Sequence, residues 1–352
     1  MSSAYADESF FRALLSKAIQ GKARDIHIKV GQPPGARIRG DMIYFRTEKI
    51  GPDDTLAVAK WVVSKPEVLA RLDDLKEHDT SYYAEGIGRF RVNVYRQRGS
   101  LAIVMRIIPV EIPSIEDLGL PVPVTFELAE KPNGMVLVVG AAGNGKSTSI
   151  AAMIAHLNAT RALHIVTIED PIEFLHRDRL SSISQREVGL DTASFAAALR
   201  AALRQDPDVV FVGEIRDDET MEIALRAAET GHLVLATLHT TDAIRTVGRM
   251  LALMRGESAE NRFRIANCLR GIIAQRLLPN ADGNGIVLAA EVIVASQSVR
   301  ESIRRPDNNP PLKSLMEKGA HPYGMQTFQM AVAALRAQGA IDEATAADAS
   351  AS

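Results

Sequence analysis

The sequence predicts an α/β protein of two domains, a mixed α and β amino-terminal domain and a P-loop domain on a largely parallel sheet. Three features predict it. Short strands and helices fill residues 1–107, a proline-rich connection occupies 108–123, and residues 124–352 alternate continuous apolar runs with helical segments, the first run leading into GAAGNGKS.

A chain of 352 residues exceeds one ordinary domain and fits two. Hydrophobic residues at 46% and charged residues at 24% give a globular chain with ample core. The balance of 41 basic against 43 acidic residues leaves a net charge of −2, so no basic excess points to nucleic acid. The single cysteine, Cys268, rules out an internal disulfide and a thiol cluster for zinc. The start, MSSAYADESFFRALL, lacks the basic-then-apolar order of a leader. No run approaches the roughly 18 apolar residues that read as a membrane span, so the expected location is cytoplasmic.

In the first domain, Ser9 to Ile19 has helical apolar spacing and Asp25 to Val30 alternates like a half-buried strand. Pro33-Pro34-Gly35 marks a turn before a strand near Ala36 to Ile38, and Leu56 to Leu72 reads as helix. Arg89 to Val94 and Leu101 to Ile107 form a hairpin turning at Arg98-Gly99. That turn pairs Phe90 with Ile107, Val92 with Met105 and Val94 with Ile103 on one apolar face, whereas a one-residue slip would mix polar and apolar residues. The same register sets Arg91 opposite Arg106, an unfavourable like-charge pair that calls for an anion or carboxylate between them.

Pro109, Pro113, Pro121 and Pro123 suit an extended connection. Beyond it, Met135 to Val139, His164 to Ile168, Val209 to Val212, Leu233 to Leu238 and Ile286 to Val294 read as strands buried on both faces. The Ala-, Asp- and Ser-rich end, Ala340 to Ser352, is expected to fray.

Gly140, Ala141, Ala142, Gly143, Asn144, Gly145, Lys146 and Ser147, followed by Thr148, match G-x-x-x-x-G-K-[ST] between a strand and a helix. Glycines let backbone N–H groups and the helix start face phosphate. Lys146 supplies charge for the β- and γ-phosphates of ATP, and Ser147 a hydroxyl for Mg²⁺.

In a parallel sheet, ligands bind at the carboxyl ends of the strands. Three strand ends deliver to that rim Glu169 with Asp170, Glu214 followed by Arg216 and Asp217, and His239. The acid after DVVFV stands one place late, at Glu214 behind Gly213, which suits positioning the attacking water better than holding metal. The Mg²⁺ side then takes Glu169, with Asp170 as second choice or as a turn-setting residue before Pro171. His232 and His239 are seven residues apart on a strand, about 23 Å at about 3.3 Å per residue, so they cannot share a ligand. His239 falls at the ligand end, and His232 is read as structural or interfacial.

TIEDPIEF (Thr167 to Phe174), QREVGLDT (Gln185 to Thr192), ALRAALRQDPDVVFVGEIRD (Ala198 to Asp217) and AAETGHLVLATLHTTDA (Ala227 to Ala243) resemble the secretion-ATPase superfamily. Within it they are most similar to the type IV pilus retraction ATPases of twitching motility. RDIHIKVGQPP (Arg24 to Pro34), RFRVNV (Arg89 to Val94) and GMQTF (Gly324 to Phe328) add to the resemblance. It implies a PAS-like amino-terminal domain, a RecA-like ATPase domain and a homohexameric ring. It further implies an Asp box at Glu169 and Asp170, a Walker B glutamate at Glu214, a His box with His232 and His239, and arginine fingers at Arg91 and Arg106. The partner it implies is a polytopic inner-membrane platform protein, which would place the chain peripherally at that membrane. The loop departs from the usual GPTGSGKS at Ala141, Ala142 and Asn144, and Ser298 to Arg305 departs from AIRNLIRE.

The competing readings are a pilus-assembly or type II/IV secretion motor, an accessory ATP-binding subunit of a pilus motor, and a RecA-like DNA translocase. Assembly and type II motors typically carry a longer amino-terminal extension and often four zinc-binding cysteines. A translocase would need basic, aromatic-bearing loops, against 5% aromatics here.

Overall fold

The computed structural model describes residues 5, 7–38, 40–109 and 111–351. Residues 1–4 and 6, part of the start read for a leader, and Val110 of the proline-rich connection lie outside the described residues. The chain divides into two compact units, Met1–Val110 and Glu111–Ser352.

The first unit opens with α1 (Glu8–Gln20), whose cap Asp7 accepts the Ser9 N–H at 2.8 Å. Then come β1 (Asp25–Lys29), β2 (Gly35–Ile38), β3 (Asp41–Tyr44), α2 (Pro52–Val62), α3 (Pro66–Leu69), β4 (Glu77–Ala84), β5 (Gly88–Gln97) and β6 (Ser100–Ile107). The helix expected over Leu56 to Leu72 is two pieces, because Val63 and Lys65 are extended and Pro66, without an N–H, begins α3. The sheet is antiparallel in the order β3-β2-β1-β6-β5-β4. The unanticipated strands β3 and β4 are its two edges, where one open side weakens the hydrophobic pattern.

The β5–β6 register is the expected one: Phe90 pairs with Ile107, Val92 with Met105, Val94 with Ile103 and Arg91 with Arg106. Arg98 and Gly99 turn with positive φ, 48° and 80°, which matches the twist of a two-residue hairpin. Phe90, Val92, Val94, Ile103 and Met105 are buried. On β6's other side, β1 places Asp25 in register with Arg106, and Arg106 Nε donates to Asp25 Oδ1 at 2.8 Å. For Arg106, then, the counter-ion is a carboxylate of its own chain. Arg91 is exposed, and its side chain makes no hydrogen bond or ion pair among the described residues.

The second unit runs α4 (Val122–Ala129), β7 (Gly134–Val139), α5 (Lys146–Thr160), β8 (His164–Glu169), β9 (Ser182–Glu187), α6 (Phe195–Ala202), β10 (Val209–Val212), α7 (Asp218–Glu229), β11 (Leu233–Leu238), α8 (Ala243–Leu253) and α9 (Ala259–Cys268). It continues with β12 (Leu269–Pro279), β13 (Ile286–Val294), α10 (Gln297–Arg304), α11 (Leu312–Lys318), α12 (Phe328–Ala337) and α13 (Glu343–Ala351). Pro121 caps α4 and Pro123 sits in its first turn, where the missing N–H costs nothing, so the connection ends earlier than its last proline. The sheet order is β13-β12-β7-β11-β10-β8-β9, parallel except for the β12–β13 pair. β7, β10 and β11 are buried at every residue, as continuous apolar strands between helical layers must be.

β9 and β12 were not expected, since SISQRE is polar at the sheet edge and LRGIIAQRLLP is interrupted by Arg and Gln. The end does not fray as expected. Glu343–Ala351 is helix α13, rich in the best helix former, with Ala346 and Ala349 buried. Arg276 of β12 donates to the Ala349 carbonyl at 3.3 Å.

Candidate active site

The carboxyl ends of β7, β8, β10 and β11 surround a cavity of about 300 Å³. It is lined by Lys146, Ser147, Thr148, Glu169, Glu214 and His239 among others.

Steric demands shape the phosphate loop. Gly140, Gly143 and Gly145 adopt φ of 151°, 82° and 79°, a region that side chains disfavour. A β-carbon on Gly140 would lie 2.6 Å from the Gln275 carbonyl of β12. The Asn144 side chain turns to β12 as well, where its Oδ1 accepts the Leu277 N–H at 3.2 Å. The β7–β12 pairing stops at Val139, so Asn144 supplies the acceptor that β7 no longer provides.

Lys146, 8% exposed, opens α5, and its Nζ donates to the Gly140 and Ala141 carbonyls at 2.9 and 3.0 Å. Burial lowers its pKa, and the Glu214 and Glu173 carboxylates act against that shift. The same Nζ lies 3.4 Å from His239 Nδ1, while His239 Nε2 lies 2.9 Å from Glu214 Oε1. Since Lys146 can only donate, these partners make Nδ1 the acceptor and Nε2 the donor to Glu214.

Glu214 projects from the end of β10. Three bonds fix that end: Gly213 N–H to the Ile168 carbonyl at 2.7 Å, Thr237 Oγ1–H to the Gly213 carbonyl at 2.5 Å, and Ile215 N–H to the Thr237 carbonyl at 3.1 Å. A β-carbon on Gly213 would meet the Ile168 carbonyl at 3.1 Å and Glu169 Cα at 3.3 Å. Any side chain at that place would press on the backbone of β8, and the acid stands one residue later. Glu214 Oε2 takes Arg216 at 2.8 Å. Burial alone would raise the Glu214 pKa, but the Arg216 and His239 contacts outweigh it and hold the carboxyl below its usual range.

Glu169 ends β8 and is 7% exposed. Burial pushes its pKa up to about 7, against the opposing bonds from Thr167 and Gln185. Asp170 is exposed, lines the same cavity and attracts Arg216. His232 stands at the other end of β11, its Nδ1 donating to the Ala227 carbonyl at 3.0 Å. The strand thus separates the two histidines. Arg91 and Arg106 belong to the first unit.

Thr167, Gln185 and Glu173 also shape the site without having been singled out by the sequence, and Arg216, which follows Glu214 onto the rim, had been given no role. Thr167 and Arg216 each stand two residues from a chosen acid. Residues that alternate along an extended chain share a face, and that spacing was the available signal.

Fold and site define a RecA-like P-loop ATPase preceded by a PAS-like domain. The family described as type II/IV secretion system protein matches residues 6–307, and the chain belongs to it. It is 38% identical to the type IV pilus retraction ATPase PilT of Pseudomonas aeruginosa over 95% of this chain and 96% of that one. It is also 38% identical to the type IV pilus ATPase PilU of the same organism, covering 94% and 86% of the two chains. The crystal structure of the pilus retraction motor PilT with bound ADP superposes with a TM-score of 0.85 at 42% identity, covering 96% of each chain. None of the described helices is long and apolar enough to cross a membrane.

Proposed function

We propose that this chain is a homohexameric motor coupling ATP hydrolysis to retraction and disassembly of a type IV pilus, acting on the pilus platform protein from the cytoplasmic face of the inner membrane. One observation carries the reading. Likeness to a pilus retraction motor runs through 96% of both chains, at 42% identity. Lys146, Glu169, Glu214 and His239 line one cavity within it.

ATP enters as substrate. The N–H groups of the 140–147 loop and the start of α5 face its phosphates, and Lys146 exchanges loop carbonyls for the β- and γ-oxygens. The donors beside them are hard oxygens, the Ser147 hydroxyl and the Glu169 carboxylate, with Asp170 and Glu173 near, a set that fits Mg²⁺. Ser147 and Glu169 would hold that ion, which when bound would neutralise phosphate charge. Glu214, ionised and oriented by Arg216 and His239, positions and polarises the attacking water. His239 joins Glu214 to Lys146 and so couples the water side to the phosphate side. Arg91 and Arg106 serve the site of a neighbouring subunit, Arg91 with a guanidinium that pairs with nothing among the described residues and Arg106 braced by Asp25.

The test is deletion of the gene, with surface pili and surface movement scored. More pili with loss of movement is the expected result. Bald cells would overturn retraction in favour of assembly.

A further inference from the structure

The segment Gln185 to Thr192 has no role in the chemistry above beyond the bond by which its first residue touches the acid assigned to Mg²⁺. β9 lies beside β8 with Gln185 in register with Thr167. The Gln185 amide is fully engaged. Its Nε2 donates to Glu169 Oε1 at 3.2 Å and to the Phe174 carbonyl at 2.9 Å, and its Oε1 accepts the His176 N–H at 2.8 Å. Two residues along, on the same face of β9, Glu187 Oε2 accepts the Ile172 N–H at 3.1 Å. Alternate side chains of an edge strand therefore fasten the 170–176 segment that follows Glu169.

The consequence for Glu169 is directional. Its Oε1 receives both the Thr167 hydroxyl at 2.6 Å and Gln185 at 3.2 Å, whereas among the described residues its Oε2 meets only the Glu173 N–H at 3.5 Å. Two donors saturate one oxygen and leave the other the less engaged. A cation would take the less engaged oxygen, and donors behind a ligating carboxylate set its orientation.

We propose that Gln185 is a positioning residue for the metal side of the nucleotide site, fixing which Glu169 oxygen is presented to Mg²⁺. This rests on the assignment of Glu169 to Mg²⁺, and the test separates the two. The affinity of the full chain for a fluorescent ADP is measured with Mg²⁺ and with EDTA. Gln185→Met, close in volume but without donors, should bind as wild type in EDTA. Its Mg²⁺-dependent gain in affinity should fall about tenfold or more. Should that variant fail to fold, Gln185→Asn keeps an amide but is too short to span Glu169, Phe174 and His176, and the same loss is expected. Glu169→Gln is measured alongside. If Glu169→Gln loses the gain and a folded Gln185 variant keeps it, the inference is overturned and the Mg²⁺ assignment stands. If Glu169→Gln keeps the gain, both are overturned. An equal loss in the two buffers would mean that Gln185 only supports the fold, and would overturn the inference as well.

Discussion

Replacing Glu169 by Gln should make the nucleotide-free protein more stable at pH 8, although it alters a residue that lines the cavity at the strand ends. Burial moves this carboxyl from its ordinary 4.5 to about 7 in the folded chain. Between those values the folded state binds a proton that the unfolded state has released. The group's contribution to stability is therefore complete below about pH 4.5, falls as pH rises to about 7 and is constant above that. At about 1.4 kcal/mol per pH unit, the wild type forfeits about 3 kcal/mol by pH 8. A glutamine can place its carbonyl toward Thr167 and Gln185, which now donate at 2.6 and 3.2 Å. Its NH₂ then confronts the Glu173 N–H, 3.5 Å from the present oxygen, at a cost of about 1 kcal/mol. The balance is a gain of about 2 kcal/mol at pH 8 that disappears near pH 5. Hydrogen exchange of the β7, β8 and β11 amides at both pH values, without nucleotide or Mg²⁺, reads the opening of this unit rather than of the first. A wild type at least as stable as Glu169→Gln at pH 8 would refute the reasoning.

Lys146→Ala should lose ATP binding, whereas Glu214→Gln should bind ATP and hydrolyse it at least about 100-fold more slowly, as binding and single-turnover assays would read. Near-normal turnover by Glu214→Gln would remove it from the water-positioning role. Arg91→Ala and Glu214→Gln, each inactive alone, should recover activity when mixed under conditions of shown subunit exchange, because a site with intact Glu214 can then adjoin an intact Arg91. No recovery would assign the arginine to its own subunit.

Much was legible in the sequence where local rules are strong. Phe90, Val92 and Val94 against Met105 and Ile103 allowed one register, and the structure has it. The phosphate loop was legible because its glycines and Lys146 answer to backbone geometry. The edge strands β3, β4 and β9 were not, since an open side relaxes the pattern, and apolar spacing runs on across the break at Pro66. The carboxyl-terminal helix was missed because small and polar composition reads as a loose end, whereas alanines settle into a helix once an apolar surface receives them.

Sequence by itself determined the class of protein: a loop of the kind that wraps phosphate between a strand and a helix, acids at the ends of parallel strands, and two histidines held apart by the length of one strand. Tertiary structure decided which groups touch. Only the fold could show that Asp25, 81 residues from Arg106, supplies its counter-ion. Only the fold could place His239 between Glu214 and Lys146, or bring Gln185 against Glu169. The reason is physical. Periodicity and turn chemistry act over a few residues, whereas hydrogen bonds between strand ends depend on sheet order, which the chain sets only when its apolar strands pack together.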